Sequence, residues 1–243
     1  MSLDLINGSE LCKAVLMRLG SMGDEYSCNF STEQLIFPMK VQNKGEKQIV
    51  RRSEQELRVL FIDEFKKENP DFYYSIETPT EYKYIFSDPC GKMMQNSEGQ
   101  SALVDLCIFE RCKDKYSRIL NIEFKHKNTA SKNIEKDILK LISERSDGLY
   151  IHLLNTSNSG TFCNKTKTGV FNKLNNAFIE FQSNWIQEDK IIQIIVMSLE
   201  QKAIRSRSIK KNDMQKLKDI FFIESGCGNI YEINGNGWKV IDL

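Results

Sequence analysis

The chain has 243 residues, 40% of them hydrophobic, and a formal charge of +1, which is enough for one substantial core or for a core plus a small subdomain. So small a net charge excludes a globally basic nucleic-acid binder, and any attraction to phosphate must come from local clusters. No apolar stretch reaches the roughly 20 residues of a bilayer-crossing helix, and the N-terminus lacks the basic start, apolar centre and small-residue cleavage site of a leader. The expectation is a cytoplasmic protein with no membrane association. Cysteines stand at 12, 28, 90, 107, 112, 163 and 227; an odd count with no Cys-x-x-Cys pair reads as reduced thiols, not a disulfide framework or a zinc site.

Residues 1–50 read as an N-terminal helical extension. Leu3, Ile6, Leu11, Val15, Leu16 and Leu19 have helical spacing, ended by Gly20 and Gly23, and core packing is expected for them. Residues 51–243 read as one α/β domain. It opens with a helix over 53–68, with Ser53 as N-cap, Glu56 three residues on for a capping box, and Leu57, Leu60, Phe61 and Phe65 on the inward stripe. Strand material follows over 72–86, interrupted by a turn at Thr78-Pro79-Thr80, then strands over 102–110 and 118–125, a helix over 132–144 and a strand over 148–154. Beyond 155 come a polar loop to Gly169, a helix over 170–186, a strand over 190–198, a helix over 212–222 and a terminal hairpin turned by Asn234-Gly-Asn-Gly237. Phe171, Phe178, Phe181 and Trp185 at helical spacing are read as core, not as a base-stacking platform.

The chemistry concentrates on the paired strands. Ala102-Leu-Val-Asp-Leu-Cys-Ile-Phe109 and Arg118-Ile-Leu-Asn-Ile-Glu-Phe-Lys125 would form a hairpin pivoting about Asp114, which sets Asp105 opposite Glu123. Alternation puts Asn121, Glu123 and Lys125 on one face and Leu120, Ile122 and Phe124 on the other. Directly opposed residues have Cβ atoms roughly 5 Å apart, so two carboxylates could hold one hard divalent ion, with a lysine beside them.

An acid on one core strand followed by acid, any residue and lysine on the next resembles the PD-(D/E)xK nuclease superfamily, here Asp105 with Glu123-Phe124-Lys125. The acid-x-Lys pattern also occurs at Glu64, Glu81, Glu188 and Glu200, but only Glu123 has an aspartate on a suitably spaced preceding strand. Val104 stands where the family's name puts proline. The resemblance implies a restriction-endonuclease-like αβββαβ core over residues 51–155, with a central mixed sheet flanked by helices. The N-terminal extension and C-terminal helix and hairpin would be additions to it. It further implies Asp105, Glu123 and the Phe124 carbonyl as ligands of Mg2+, with Mn2+ able to substitute, Lys125 as the catalytic lysine, and Glu54 of the first helix as an outer-sphere or second-ion ligand.

The expected activity is therefore metal-dependent phosphodiester hydrolysis, as a restriction-like or DNA-processing endonuclease on double-stranded DNA. The alternative is a catalytically inactive module of the same fold that serves as a nucleic-acid or protein scaffold. A nucleotide-binding α/β enzyme is disfavoured, because no glycine-rich phosphate loop opens a helix. Lys127, just after the motif, and the acid-free run carrying Lys202, Arg205, Arg207, Lys210 and Lys211 are the candidate phosphate contacts. The run could equally be a solvated connector, and His126 is expected to be structural. Cutting both strands would favour a homodimer, although no feature of the sequence fixes the oligomeric state.

Overall fold

The computed structural model describes residues 2–22, 31–32, 35–42, 47–87, 92–223 and 237–243. In chain order these form helices α1 (Ser2–Leu5) and α2 (Gly8–Gly20), then strands β1 (Ser31–Thr32), β2 (Leu35–Ile36), β3 (Met39–Gln42) and β4 (Lys47–Val50). Helix α3 (Glu54–Glu68) leads to β5 (Tyr73–Ser87), β6 (Lys92–Gln95), β7 (Gln100–Cys112) and β8 (Lys115–His126). Then come α4 (Ser131–Ser143), β9 (Asp147–Leu154), α5 (Ser159–Phe162), α6 (Val170–Phe181), β10 (Ile191–Ser198), β11 (Ala203–Lys210), α7 (Leu217–Ile220) and β12 (Lys239–Asp242).

The architecture is α/β around a mixed eight-stranded sheet of order β12-β11-β10-β9-β8-β7-β5-β6. Strands β8, β9 and β10 run parallel, and the other neighbours are antiparallel. Antiparallel partners can be joined by tight turns, whereas the two parallel steps need crossovers, which α4 and then α5 with α6 supply. Both sheet faces are covered, which explains the nearly continuous apolar character of β9 and β10. On one face Leu120, Ile122 and Phe124 of β8 meet Leu57, Leu60, Phe61 and Phe65 of α3 and Leu11, Val15, Leu16 and Leu19 of α2. On the other face Tyr150, Ile192, Ile194 and Val196 lie under Ile134, Ile138 and Leu141 of α4 and Phe171, Phe178 and Trp185 beyond it.

Several expectations change in detail. The first 50 residues are not purely helical: the β1–β2 and β3–β4 ladders follow α2, and α1 and α2 are separate helices. Helix α2 belongs to the same apolar cluster as the sheet, and Arg18 ties it to Glu64 of α3 at 2.7 Å. The residues 78–80, expected as a turn, lie inside the continuous strand β5, which accommodates them in a bulge between Pro79 and Lys83. The fully buried Glu144 carboxylate holds that bulge, accepting from the backbone N–H of Glu81 at 2.8 Å and of Tyr82 at 3.1 Å and pairing with Arg118 at 3.3 Å.

The polar loop after 155 contains α5, and the helix expected to reach 186 is α6 followed by a 3-10 turn over Gln182–Asn184. The helix expected over 212–222 is a 3-10 turn, Lys211–Lys216, running into the short α7. Gly23 and the residues 234–236 of the terminal turn lie outside the described residues. Cys12, Cys107 and Cys112 are free, but Cys163 is disulfide-bonded. An odd count without close spacing does not exclude a pair made between distant segments.

Candidate metal-ion and catalytic site

The hairpin forms in the register that matters, though not by the expected turn. Cys112 faces Lys115, so the loop is the two residues Lys113 and Asp114, and the pivot lies between them. Lys113 takes the left-handed φ of 56° that such a tight connection requires. A bulge at Ile119 then adds one residue to β8, so that Leu106 faces Ile122. Continued by one position, this register brings Asp105 across from Glu123. The ladder ends there: the Asp105 carboxylate itself accepts the backbone N–H of Phe124 at 2.9 Å.

The expected alternation along β8 holds. Leu120, Ile122 and Phe124 enter the α3 side of the core, and Phe124 packs edge-on against Phe61 with ring centroids 5.5 Å apart. Asn121, Glu123 and Lys125 point to the other face, where all three are buried. Glu54, in the first turn of α3, reaches the same place from the strand end. One carboxylate oxygen accepts the His126 backbone N–H at 3.4 Å, and the other lies 3.6 Å from Lys125 Nζ. Ser53 caps α3 by accepting from Gln55 N at 3.3 Å. Glu56 contacts the Ser53 hydroxyl side chain to side chain instead of closing the usual capping box, and it pairs with Arg51 at 3.5 Å. Of the two acids in this turn, Glu54 is thus the one at the site.

Helix α4 contributes two residues that the motif did not announce. Asp137 accepts Lys125 Nζ at 2.8 Å and Lys140 Nζ at 3.2 Å. Lys140 Nζ also meets Glu123 Oε1 at 2.6 Å and donates to the Leu103 carbonyl at 2.9 Å. Asn133, Asp137 and Lys140 form a polar i, i+4, i+7 stripe beside the apolar Ile134, Ile138 and Leu141. That stripe was the available signal, but without a partner strand it reads as an ordinary solvated flank. Glu54, Leu103, Lys125, Lys136, Asp137 and Lys140 line a cleft of about 730 Å³ at this point.

Charge dominates the site. Burial pushes the Glu123 carboxyl well up from the usual carboxylate range, Lys140 pulls it back, and Asp137 and Asp105 push it further. Burial also raises Glu54, against the pull of Lys125. Desolvation would lower Lys125, but Asp137 and Glu54 outweigh it, so the ammonium is held above its ordinary value. Lys140 is raised likewise, by Glu123 and Asp137 against desolvation. Against Glu54, Asp105, Glu123 and Asp137 stand Lys125, Lys140 and the cleft-lining Lys136, so the acids outnumber the lysines by one.

The residues present fit a hard divalent cation on two counts. Glu123 Oε2 is buried and has no hydrogen-bond partner, and the surrounding donors are carboxylate and carbonyl oxygens with a net negative charge. Among the described residues no three acid, histidine or cysteine side chains already converge as a ligand set. Glu123 is engaged by Lys140, and the Phe124 carbonyl accepts Lys125 Nζ at 2.8 Å.

Beneath these groups, the fully buried His152 of β9 bonds to the Lys127 carbonyl through Nε2 at 2.5 Å and to the Tyr150 hydroxyl through Nδ1 at 3.1 Å. It pins Lys127, whose φ of 63° is left-handed, at the exit of β8. The Lys127 side chain is exposed, and the half-buried His126 ring meets Asn155 at 2.8 Å.

The basic run is not a connector and not one patch. Its central residues form β11, paired on both edges. Its side chains differ in burial and partner even on one strand face: Arg205 is 4% exposed, its guanidinium 5.4 Å from the centre of the Phe162 ring. Arg207 lies 3.8 Å from Asp213, Lys211 is paired with Glu188 at 2.5 Å, and Lys202 and Lys210 are exposed. Register aligns Lys125, His152, Val196 and Arg205 in one row across the sheet. Three strand spacings therefore separate Arg205 from Lys125, roughly 14 Å. No protein-family model matches this chain, and no curated protein matches it either.

Proposed function

We propose that the chain is a metal-dependent phosphodiester hydrolase of the restriction-endonuclease-like type, acting on DNA. The observation that carries this reading is that Glu54 and Lys125 line one cleft, with Glu123 buried behind Lys140 of the same cleft and Asp105 across the strand pair from Glu123. The order helix, strands, hairpin, helix, strand across α3 to β9 supports it. Asp105, Glu123 and the Phe124 carbonyl would hold Mg2+ or Mn2+, which when bound acidifies a water and offsets negative charge on the phosphate. Lys125 is ion-paired with Asp137 and lies near Glu54. It orients the attacking water and stabilises the charge that builds on the phosphate oxygens. Glu54, half exposed at the cleft, orients water in the outer sphere. Lys127, exposed at the exit of β8, is the phosphate contact closest in sequence to these groups.

A scaffold reading is favoured by one observation: Lys140 and Lys125 already pair with Glu123 and Asp137, which leaves a folded site without any ion. Incubation of the purified chain with supercoiled plasmid, linear DNA and RNA, with and without Mg2+ or Mn2+, separates the two. The hydrolase nicks or cuts DNA only with metal, and Lys125→Ala loses roughly 100-fold or more of that rate while its circular dichroism spectrum is unchanged. Cleavage by Lys125→Ala at the wild-type rate removes the assignment. No cleavage of any substrate, together with no heat of metal binding, leaves the scaffold.

A further inference from the structure

The Lys140 ammonium sits among three oxygens that arrive from three different elements: Glu123 Oε1 from β8 at 2.6 Å, Asp137 Oδ1 from α4 at 3.2 Å and the Leu103 carbonyl from β7 at 2.9 Å. Carboxylates and a carbonyl around one positive centre are what a hard cation requires. Lys140 is 7% exposed, so little water solvates the charge and the oxygens hold it instead. Next to this cage, Glu123 Oε2 is buried without a partner. One carboxylate thus has one oxygen on the lysine and one free for a further cation. A buried, half-satisfied carboxylate is costly unless something charged completes it.

We propose that Lys140 is a built-in competitor for the metal, and that Asp137 is an additional metal ligand. Without the ion, the Lys140 ammonium fills the cage of Glu123, Asp137 and the Leu103 carbonyl; with the ion, Lys140 withdraws toward the cleft that it lines. The exchange needs no unfolding, because Lys140 lies on the cleft side of α4, four carbons of flexible chain carry its charge, and the solvent is adjacent. Lys125 has no such role: it stays on Asp137 Oδ2, the carboxylate oxygen opposite the Oδ1 that meets Lys140. This inference rests on the metal-dependent reading and adds how the site stays closed until metal arrives.

The test is amine-selective methylation of the full-length wild-type chain, read residue by residue by mass spectrometry, with Mn2+ absent or saturating and binding followed in parallel by calorimetry. Lys140 should become several-fold more reactive with Mn2+ while Lys125 stays protected. Calorimetry of Lys140→Met should show Mn2+ binding tighter by roughly tenfold or more, since a like charge has left the cage. Asp137→Asn should bind more weakly than wild type. Removing Lys140 leaves Glu123 buried without its counter-charge, so the wild-type labelling decides the matter if that variant does not fold. Mn2+ binding to wild type with Lys140 as protected as before overturns the competitor and leaves the metal site standing. Absence of Mn2+ binding to both wild type and a folded Lys140→Met overturns the metal-dependent reading and the competitor together.

Discussion

Acidification should loosen the wall of the candidate site through His152, and the size of the effect follows from its surroundings. The ring is completely buried in β9, and desolvation lowers its pKa to about 4 from an ordinary 6.5. The bond to the Lys127 carbonyl works the other way, but Lys125, His126 and Lys173 nearby oppose a second positive charge. The folded chain therefore keeps His152 neutral at pH values where the unfolded chain protonates it. Stability is complete above pH 6.5 and is lost progressively as pH falls to 4, where the loss levels off at about 3 kcal/mol. Glu54 and Glu123 titrate in the opposite sense, since their raised pKa values favour the folded state as pH falls. A comparison with His152→Gln removes that background. Urea unfolding at pH 7, 6, 5 and 4 should find the variant less stable at pH 7 by about 1–2 kcal/mol, from the lost bonds to Tyr150 and Lys127. That deficit should vanish or reverse by pH 4. Parallel curves for the two proteins would show that His152 is not held neutral by burial and that the Lys127 carbonyl is braced by something else.

Three further outcomes follow from buried contacts away from the cleft. Glu144→Ala orphans the Glu81 and Tyr82 amides and the Arg118 charge at the β5 bulge; it should cost about 3–5 kcal/mol in chemical denaturation, and a loss below about 1 kcal/mol would contradict the bracing role. Lys190 is buried with its ammonium on the Ile142 and Glu144 carbonyls, and burial pulls its pKa down to about 7. Because the unfolded chain holds this proton more tightly, its contribution should rise between pH 7 and 10.5, and Lys190→Met should flatten the melting temperature against pH over that range. A Cβ at Gly99 would lie 2.1 Å from the Tyr84 carbonyl oxygen, so Gly99→Ala must push β5 from the start of β7. It should destabilise by about 1–3 kcal/mol in thermal unfolding, whereas a neutral result would mean that this edge gives way freely.

Strand faces were legible because period-two alternation is local: Leu120, Ile122 and Phe124 against Asn121, Glu123 and Lys125 needs no partner to be read. The α3 start was legible for the same reason, since Ser53 caps within its own turn. The hairpin register at Asp105 was right through compensation, the shorter loop being offset by the extra residue at Ile119. Asp137 and Lys140 were not legible as site residues, because what makes them so is the strand they cover. That the run from Lys202 to Lys211 is a strand and not a connector was hidden by its charge: Ala203, Ile204 and Ile209 are buried, with Ile204 on one face and Arg205 on the other, over Phe162.

Once β8 puts Glu123 and Lys125 on a face that α4 covers, the crossover helix must either leave that face open or bring charges of its own. Helix α4 brings Asp137 and Lys140, and the four side chains neutralise one another in sign. Asp105 and Glu54 at the rim then tip the balance to negative. Apolar residues of similar volume would pack this layer at no cost in stability and often with a gain. Within that layer Glu123 Oε2 is left without a hydrogen-bond partner. An excess of acids over lysines beside an unmatched carboxylate oxygen supports the proposed divalent-cation site. Calorimetry on Glu123→Gln therefore has a definite expectation. It should abolish Mn2+ binding while the fold persists, because the amide keeps an oxygen for Lys140 and Asp137 still pairs with that ammonium. A variant that still binds Mn2+ as wild type does would put the ion elsewhere.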